Sequence, residues 1–448
     1  MVPRIVVAGT GSGVGKTMIA TGLMRRLSHR MTVQGFKVGP DFIDPMFHHA
    51  ATGRLSRNLD SFFLEPPVLR NLFGWATRDA DIAIIEGVRG LYDGLTATGD
   101  AGSTAEIAKM LGAPVILVVN ARSLAKSAAA HVLGFKALDP EVRIAGVILN
   151  KVGGARHRAK AVEAVESLTG VEVIGTIGRD INSLPENNLG LTPMEGMAER
   201  RSLEQMETMT EGIDLDRLIE LASTAGEVDL PSASPYQEGV RQGVKIAVPR
   251  DRAYCFYYPE NIEAIRAAGA EIVNFRPVEG EGLPACDGIY LGGGYLENHA
   301  RAITDNRDFL EGVKTLSEDG GMIYGECGGL MTMCSSLRVH GEGHNMVGIF
   351  PSTAMMIEER QGPSYVRAVG TADHILLPGQ AIRGHEFHYS RLVPPPAGRY
   401  GLKMERGIGI SGGMDGITVR RSMGTYMHIH ALSVPAWAPA LVAAAGQN

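Results

Sequence analysis

Short unbroken apolar runs alternate with stretches of helical spacing along the first half of the chain. The runs at 4–8, 81–85, 114–119, 144–149 and 173–177 have the length and β-branched content of buried strands. Between them, 15–29, 103–111 and 157–169 carry apolar residues every three or four positions. That rhythm predicts an α/β fold with a doubly wound parallel sheet, whose ligands gather at the carboxyl ends of its strands. The pattern fails over 223–243 (STAGEVDLPSASPYQEGVRQG), a polar stretch that reads as a linker. It then restarts, with strands at 245–249, 271–275, 288–291 and 321–324 and a helix at 259–268. The later part is richer in antiparallel strands. The expectation is two α/β domains, 1–222 and 244–448, joined by 223–243.

Composition narrows the class. Hydrophobic residues make up 44% and charged residues 21% of the 448, a globular balance with ample core for each domain. The 57 glycines have no G-x-y period and cluster at strand ends, as ligand loops would. A net charge of −6 argues against a general nucleic-acid binder. The apolar run at 113–119 is far too short to span a membrane, and MVPRIVVAGTG lacks signal-peptide architecture. Four cysteines without a C-x-x-C pair favour a reducing compartment. Together these predict a cytoplasmic enzyme that binds neither nucleic acid nor membrane.

The first strand runs into GTGSGVGKT (9–17), followed by a helix. Strand, glycine loop and helix start make a phosphate cradle, in which backbone N–H groups and the helix dipole face the anion. Gly9, Thr10, Gly11, Ser12, Gly13, Val14 and Gly15 would form it, with Lys16 on the β/γ-phosphates and Thr17 on Mg²⁺. The strict P-loop pattern misses by one position, since Thr10 stands where its first glycine belongs. Glu86 ends another strand and would hold Mg²⁺ directly or through water; Asp93 follows seven residues on. FKVGPDFID (36–44) adds Lys37, Asp41 and Asp44 after a short strand at 32–36. Asn150 ends a strand and either bonds an adenine edge or simply forms a turn. Lys37, Arg54, Arg57, Arg89, Arg122 and Lys126 recur near strand ends, a positive mouth for a polycarboxylate in a net-acidic protein.

In the second half, IYGECGGLM (323–331) sets Cys327 between a strand and a helix-like run, with glycines close on both sides. That is nucleophile-elbow geometry, in which the helix N-terminus would lower the thiol pKa. Cys255, Cys286 and Cys334 read instead as small buried residues. Gly293 and Gly294, in the loop after the strand IYL, would offer N–H groups that join that of Gly328 in an oxyanion hole. GTYMHIH (424–430) supplies His428 as base; on a strand His430 shares its face and would orient it. RGHEFHYS (383–390), with Arg383, His385, Glu386 and His388, has the look of metal spacing, but a strand would alternate its faces; a packed or substrate-lining strand is the expectation.

These segments resemble the glutamine-dependent a,c-diamide synthases of tetrapyrrole biosynthesis over nearly the whole chain. The likeness also covers SRNLDSF (56–62), EGVRGLYDG (86–94), FYYPENIE (256–263) and GGGYLE (292–297). It implies a dethiobiotin-synthetase-like ATPase domain followed by a class I, triad-type glutamine amidotransferase domain. The implied co-substrates are ATP and L-glutamine with Mg²⁺, the substrate a tetrapyrrole polycarboxylate, and a homodimer is compatible with it. Carried over by position, Thr17, Asp41 and Glu86 serve metal, and Asp41, Asp44 and Asp93 serve carboxylate activation and the intermediate. Cys327 is the glutaminase nucleophile and His428 its base. Triad glutaminases read His-x-Glu, and the Glu position here is His430. Leu296 replaces the usual proline of GGGYPE, and Cys255 an asparagine of DEAFNFYY. Asn188 stands where many members have histidine and receives no role. Arg89 and VNARSLAKSAAA (119–130) resemble the branch that acts on nickel sirohydrochlorin; cobyrinate enzymes mostly carry methionine at the position of Arg89. Two rivals remain: a sibling amidase of other corrin carboxylates, and a partition-type nucleotide switch. The switch leaves 244–448 unexplained, and its signature lysine would fall at Gly11.

Overall fold

The computed structural model describes residues 2–179, 186–187, 190–191, 197–240, 243–362 and 365–447; Asn188 lies outside them. The chain divides into two units, one ending at Pro235 and the other starting at Tyr236.

The first unit alternates as the pattern predicts. Its elements are β1 (Arg4–Gly9), α1 (Lys16–Ser28), β2 (Val33–Val38), α2 (Ile43–Thr52), β3 (Arg57–Leu59), α3 (Pro66–Thr77), β4 (Ile82–Glu86) and α4 (Thr104–Met110). Then come β5 (Val115–Asn120), α5 (Lys126–Leu138), β6 (Ile144–Val152), α6 (Ala155–Thr169) and β7 (Val173–Gly178). The two-residue strands β8 (Glu186–Asn187) and β9 (Gly190–Leu191) precede α7 (Met197–Met209) and α8 (Leu215–Ser223). β1 to β7 form one parallel sheet in the order β3-β2-β4-β1-β5-β6-β7. Ile5, Val7, Ile84, Val118 and Ile148 on one face pack with Ile19 and Leu23 of α1 and Leu218 of α8. On the other face, Phe36 stacks on Phe73 of α3 with ring centroids 4.8 Å apart.

Part of the expected linker is packed structure. α8 ends at Ser223, and the chain beyond it stays on this unit: the Gly226 amide donates to the Gly112 carbonyl at 2.8 Å. The buried Arg4 guanidinium donates to the Gly226 and Leu111 carbonyls. Gly74 approaches so closely that a Cβ there would lie 2.2 Å from the Pro231 carbonyl oxygen. Polar composition had hidden these backbone contacts.

The second unit holds β10 (Lys245–Pro249), α9 (Pro259–Ala267), β11 (Glu271–Phe275), β12 (Gly288–Leu291), α10 (Ala300–Asp305), α11 (Arg307–Glu318), β13 (Met322–Glu326) and α12 (Gly328–Met333). After them run β14 (Cys334–Val339), β15 (Glu342–Asn345), β16 (Phe350–Gln361), β17 (Tyr365–Gly370), β18 (Ala381–His385), β19 (His388–Val393) and β20 (Arg399–Arg406). β21 (Met414–Val419), β22 (Ser422–Thr425), β23 (His428–Ile429) and α13 (Trp437–Ala445) complete it. The main sheet is ordered β11-β10-β12-β13-β22-β21-β20-β17-β18-β23. Its first five strands are parallel and the rest antiparallel. A second, four-stranded sheet runs β15-β14-β16-β19. Among the described residues no helix is long and apolar enough to cross a membrane.

Candidate functional site

Two sites emerge, one in each unit. In the first, β1 delivers the glycine loop and α1 opens on Lys16. Gly15 sits at φ +98°, and a Cβ there would lie 2.6 Å from Asn150 Nδ2, so glycine is required on both counts. Asn150 donates from that nitrogen to the Val14 carbonyl at 2.8 Å. It braces the phosphate loop, where the sequence had offered an adenine contact or a turn. The loop after β4 clasps the cradle: Leu91 N donates to Gly9 O at 2.9 Å, and Lys16 Nζ donates to the carbonyls of Gly11 (3.0 Å) and Arg89. Burial, with Lys37 nearby, lowers the Lys16 pKa to about 8.

Beside the loop, charged side chains from three elements converge. Thr17 donates its hydroxyl toward Glu86 Oε1 (2.6 Å) and Asp44 Oδ2 (3.2 Å). The Lys37 ammonium pairs with Glu86 at 2.8 Å and with Asp44. His48, which the sequence reading missed, donates from Nε2 to Glu86 Oε2 at 2.7 Å and meets Ser56 through Nδ1 at 3.1 Å. Burial raises the Glu86 pKa, but Lys37 and His48 outweigh it and hold that carboxyl well below its usual range. Asp44 moves the opposite way: burial, then the charges of Asp41 and Glu86, push it well above. A hydroxyl and two carboxylates within reach of one another suit Mg²⁺, which takes few protein oxygens and completes its shell with water and phosphate. Asp44 supplies the second carboxylate here. Asp41, expected as a metal ligand, lies beside Asp44 in the same cluster and accepts from Ile43 N at 2.9 Å.

The basic residues scatter. Arg89, at φ +50°, stands exposed beside the phosphate loop and reaches Gly94 O at 3.5 Å. Asp93, also exposed, accepts from Gly90 N at 2.9 Å and shapes that loop. Arg122 and Lys126 are exposed at the end of β5 and the start of α5. Arg54 is elsewhere: it pairs with Asp79 at 2.6 Å and donates to Gln34 near the start of β2, the opposite end of the strand from the acids. Arg57 is buried, its guanidinium 5.2 Å from the Trp75 ring centroid on the α3 side. Arg54 thus lies away from the phosphate loop, because strand position alone does not say which end or face a side chain takes.

In the second unit, Cys327 caps α12 at φ +49°, ψ −98°, the strained turn of an elbow. A Cβ placed on Gly293 would lie 3.4 Å from Cys327 Cβ, 2.7 Å from His428 Cε1 and 3.4 Å from His428 Nε2. Thiol and imidazole therefore flank one point of the glycine loop. Gly328 abuts the same loop, a Cβ there lying 3.5 Å from Gly294 N. The thiol is not acidified. Burial, then the charge of Glu297, push its pKa up to about 12, outweighing the Gly328 N–H at the start of a six-residue helix. Cys334 is buried, whereas Cys255 and Cys286 are only half-buried. The Cys255 amide donates to Gly293 O at 3.0 Å and so helps hold the loop.

His428 is gripped from several sides. Its Nδ1 lies 3.3 Å from Glu326 Oε2, and its ring stacks on His385 at 4.8 Å. His430 is turned elsewhere: its Nε2 lies 3.5 Å from Glu260 Oε2 and its ring packs on Tyr258. β23 ends at Ile429, so the extended geometry that would have given the two histidines one face is not continued. Asn261, unmarked by any sequence signal except its place in FYYPENIE, donates to Ile429 O at 3.0 Å and accepts from Ala431 N at 2.7 Å. In RGHEFHYS the strand breaks after His385; His388 then lies 3.1 Å from Glu386, which accepts from the Ile408 and Gly409 amides. Among the described residues no group of three or more His, Cys, Asp or Glu is arranged to hold a metal.

A phosphate-loop unit followed by a thiol-elbow unit defines a class: an amidating enzyme that carries its own glutaminase. Family models agree, matching a CobQ/CobB/MinD/ParA nucleotide binding domain over 5–191 and a CobB/CobQ-like glutamine amidotransferase domain over 245–436. The chain is 47% identical over 444 residues to the cobyrinate a,c-diamide synthase of Methanothermobacter thermautotrophicus, covering 97% of this chain and 98% of the relative. It is 44% identical to that of Methanobrevibacter smithii, covering 96% of each, and 41% to that of Archaeoglobus fulgidus, covering 96% and 95%. The chain belongs to the cobyrinate a,c-diamide synthase family, glutamine-dependent amidating ligases.

Proposed function

We propose that this protein converts the a- and c-side-chain carboxylates of cobyrinate to amides, using ATP and glutamine and passing through acyl phosphates. The observation that carries the reading is the presence in one chain of both halves of the chemistry: the Lys16–Thr17–Asp44–Glu86 cluster and the Cys327–His428 elbow. His428 Nε2 takes the thiol proton as Cys327 Sγ attacks the glutamine carboxamide. The N–H groups of Gly294 and Gly328 receive the developing oxyanion, ammonia leaves, and water clears the glutamyl thioester. In the other unit a carboxylate oxygen of the substrate attacks the γ-phosphorus, ADP leaves, and the ammonia displaces phosphate from the acyl carbon. Thr17, Asp44 and Glu86 would hold Mg²⁺, which supplies charge neutralisation at the phosphates. Lys16 lies where it would reach the β/γ-phosphates, and Lys37 adds a second positive charge beside the transferred group.

A second reading rests on Arg89. Its exposed guanidinium beside the phosphate loop suits a peripheral carboxylate of nickel sirohydrochlorin. The purified enzyme, given ATP, glutamine and each tetrapyrrole in turn, tests both readings by product mass. A diamide from cobyrinate supports the first and a diamide from nickel sirohydrochlorin the second; no amide from either contradicts both.

A further inference from the structure

The position two residues after the base, which would hold the orienting acid of a triad, is filled by His430, and His430 faces Glu260. His428 nevertheless has a carboxylate at its Nδ1. We infer that Glu326, the residue before the nucleophile, is the positioning acid of this glutaminase, so that base and nucleophile are served from the end of a single strand.

Glu326 closes β13, and its carboxyl is buried, 1% exposed. Oε2 lies 3.3 Å from His428 Nδ1 and accepts from Tyr290 OH at 3.0 Å; Oε1 lies 3.4 Å from Ile429 N. The carboxylate is thereby fixed by groups on β12 and β23 and cannot swing away from the ring. A hydrogen bond from Nδ1–H to Glu326 leaves the Nε2 lone pair toward Cys327, the tautomer a general base needs. The same negative charge stabilises the imidazolium once the thiol proton has moved. That help is needed, because the buried thiol holds its proton tightly. His385, stacked on the other side, cannot serve, because an imidazole is neutral or cationic and offers no negative charge to an imidazolium. Glu297, from the loop after β12, adds negative charge near the thiol.

The inference rests on the glutaminase reading above, and the test separates the two. Glutamate release from glutamine is followed against pH for the full chain and for the Glu326→Gln, Glu326→Asp and Cys327→Ala variants. With Glu326→Gln the plateau of kcat/KM falls by roughly 10²–10⁴-fold, the worth of a correctly held base. The acid limb moves to lower pH as well, because the imidazolium has lost its counter-charge. Glu326→Asp recovers part of the plateau and returns the limb toward its original position. A fall in plateau with an unmoved limb, or a loss under threefold, overturns the assignment. If Cys327→Ala itself keeps glutamine turnover, the glutaminase reading fails, whatever Glu326 does.

Discussion

Lys16 shows how one side chain links the loop to the reaction. Replacing it by alanine removes the charge that would meet the β/γ-phosphates, so amide formation is lost with either glutamine or ammonium as nitrogen source. Near-normal product at saturating ATP would contradict this. Its lowered pKa adds a second outcome. A lysine depressed to about 8 by burial and by Lys37 is charged below that pH and neutral above it, so kcat/KM for ATP falls as pH rises through about 8. A pH–rate profile checks the direction. Arg89 is the other informative residue. If its guanidinium pairs with a tetrapyrrole carboxylate, Arg89→Met lowers kcat/KM for nickel sirohydrochlorin more than for cobyrinate, by about 1.5–3 kcal/mol. Equal losses on both substrates would remove it as a selector. Candidate residues with a local motif, such as Lys16, Thr17, Cys327 and His428, stand in the loop and the elbow where the sequence places them. Contacts with a distant partner were not legible there: Asn150 bonding Val14, His48 bonding Glu86, and His430 turned to Glu260 depend on where elements cross.

At the scale of elements, the apolar runs located strands well because a buried parallel strand has no polar face to interrupt it. β10, β11 and β12 fall where the pattern put them, and β4 differs by a single residue. α2 and α3 went unseen, since the aromatic and proline residues of 43–77 blur a helical period. The turn between β22 and β23 illustrates how an element end serves the chemistry. Fully buried Asp415 accepts from Thr425 Oγ1 (2.7 Å), Gly416 N (2.8 Å), Tyr426 N (3.1 Å) and Met427 N (3.1 Å), pinning the backbone that leads into His428. Asp415→Ala strands these donors in the interior, at about 1–3 kcal/mol for each group left unpaired. The variant is expected to lose about 3 kcal/mol or more in denaturant unfolding, and its glutamine turnover to fall further than its ammonium-driven amidation. A loss under about 1 kcal/mol would show that the turn does not need its acid.

For the whole molecule, the two-unit organisation was legible because both units begin with the same strand–helix rhythm. The exact seam was not, because residues 224–235 bind through backbone groups that composition does not report. The proposed mechanism divides the labour: nitrogen is released at Cys327 in the second unit and the carboxylate is activated at the P-loop of the first. The most direct measurement is the rate of diamide formation from cobyrinate by Cys327→Ala, supplied with ATP and either glutamine or ammonium. No product is expected with glutamine, and near wild-type product with ammonium. Retained use of glutamine, or equal loss with both nitrogen sources in a folded variant, would contradict that mechanism.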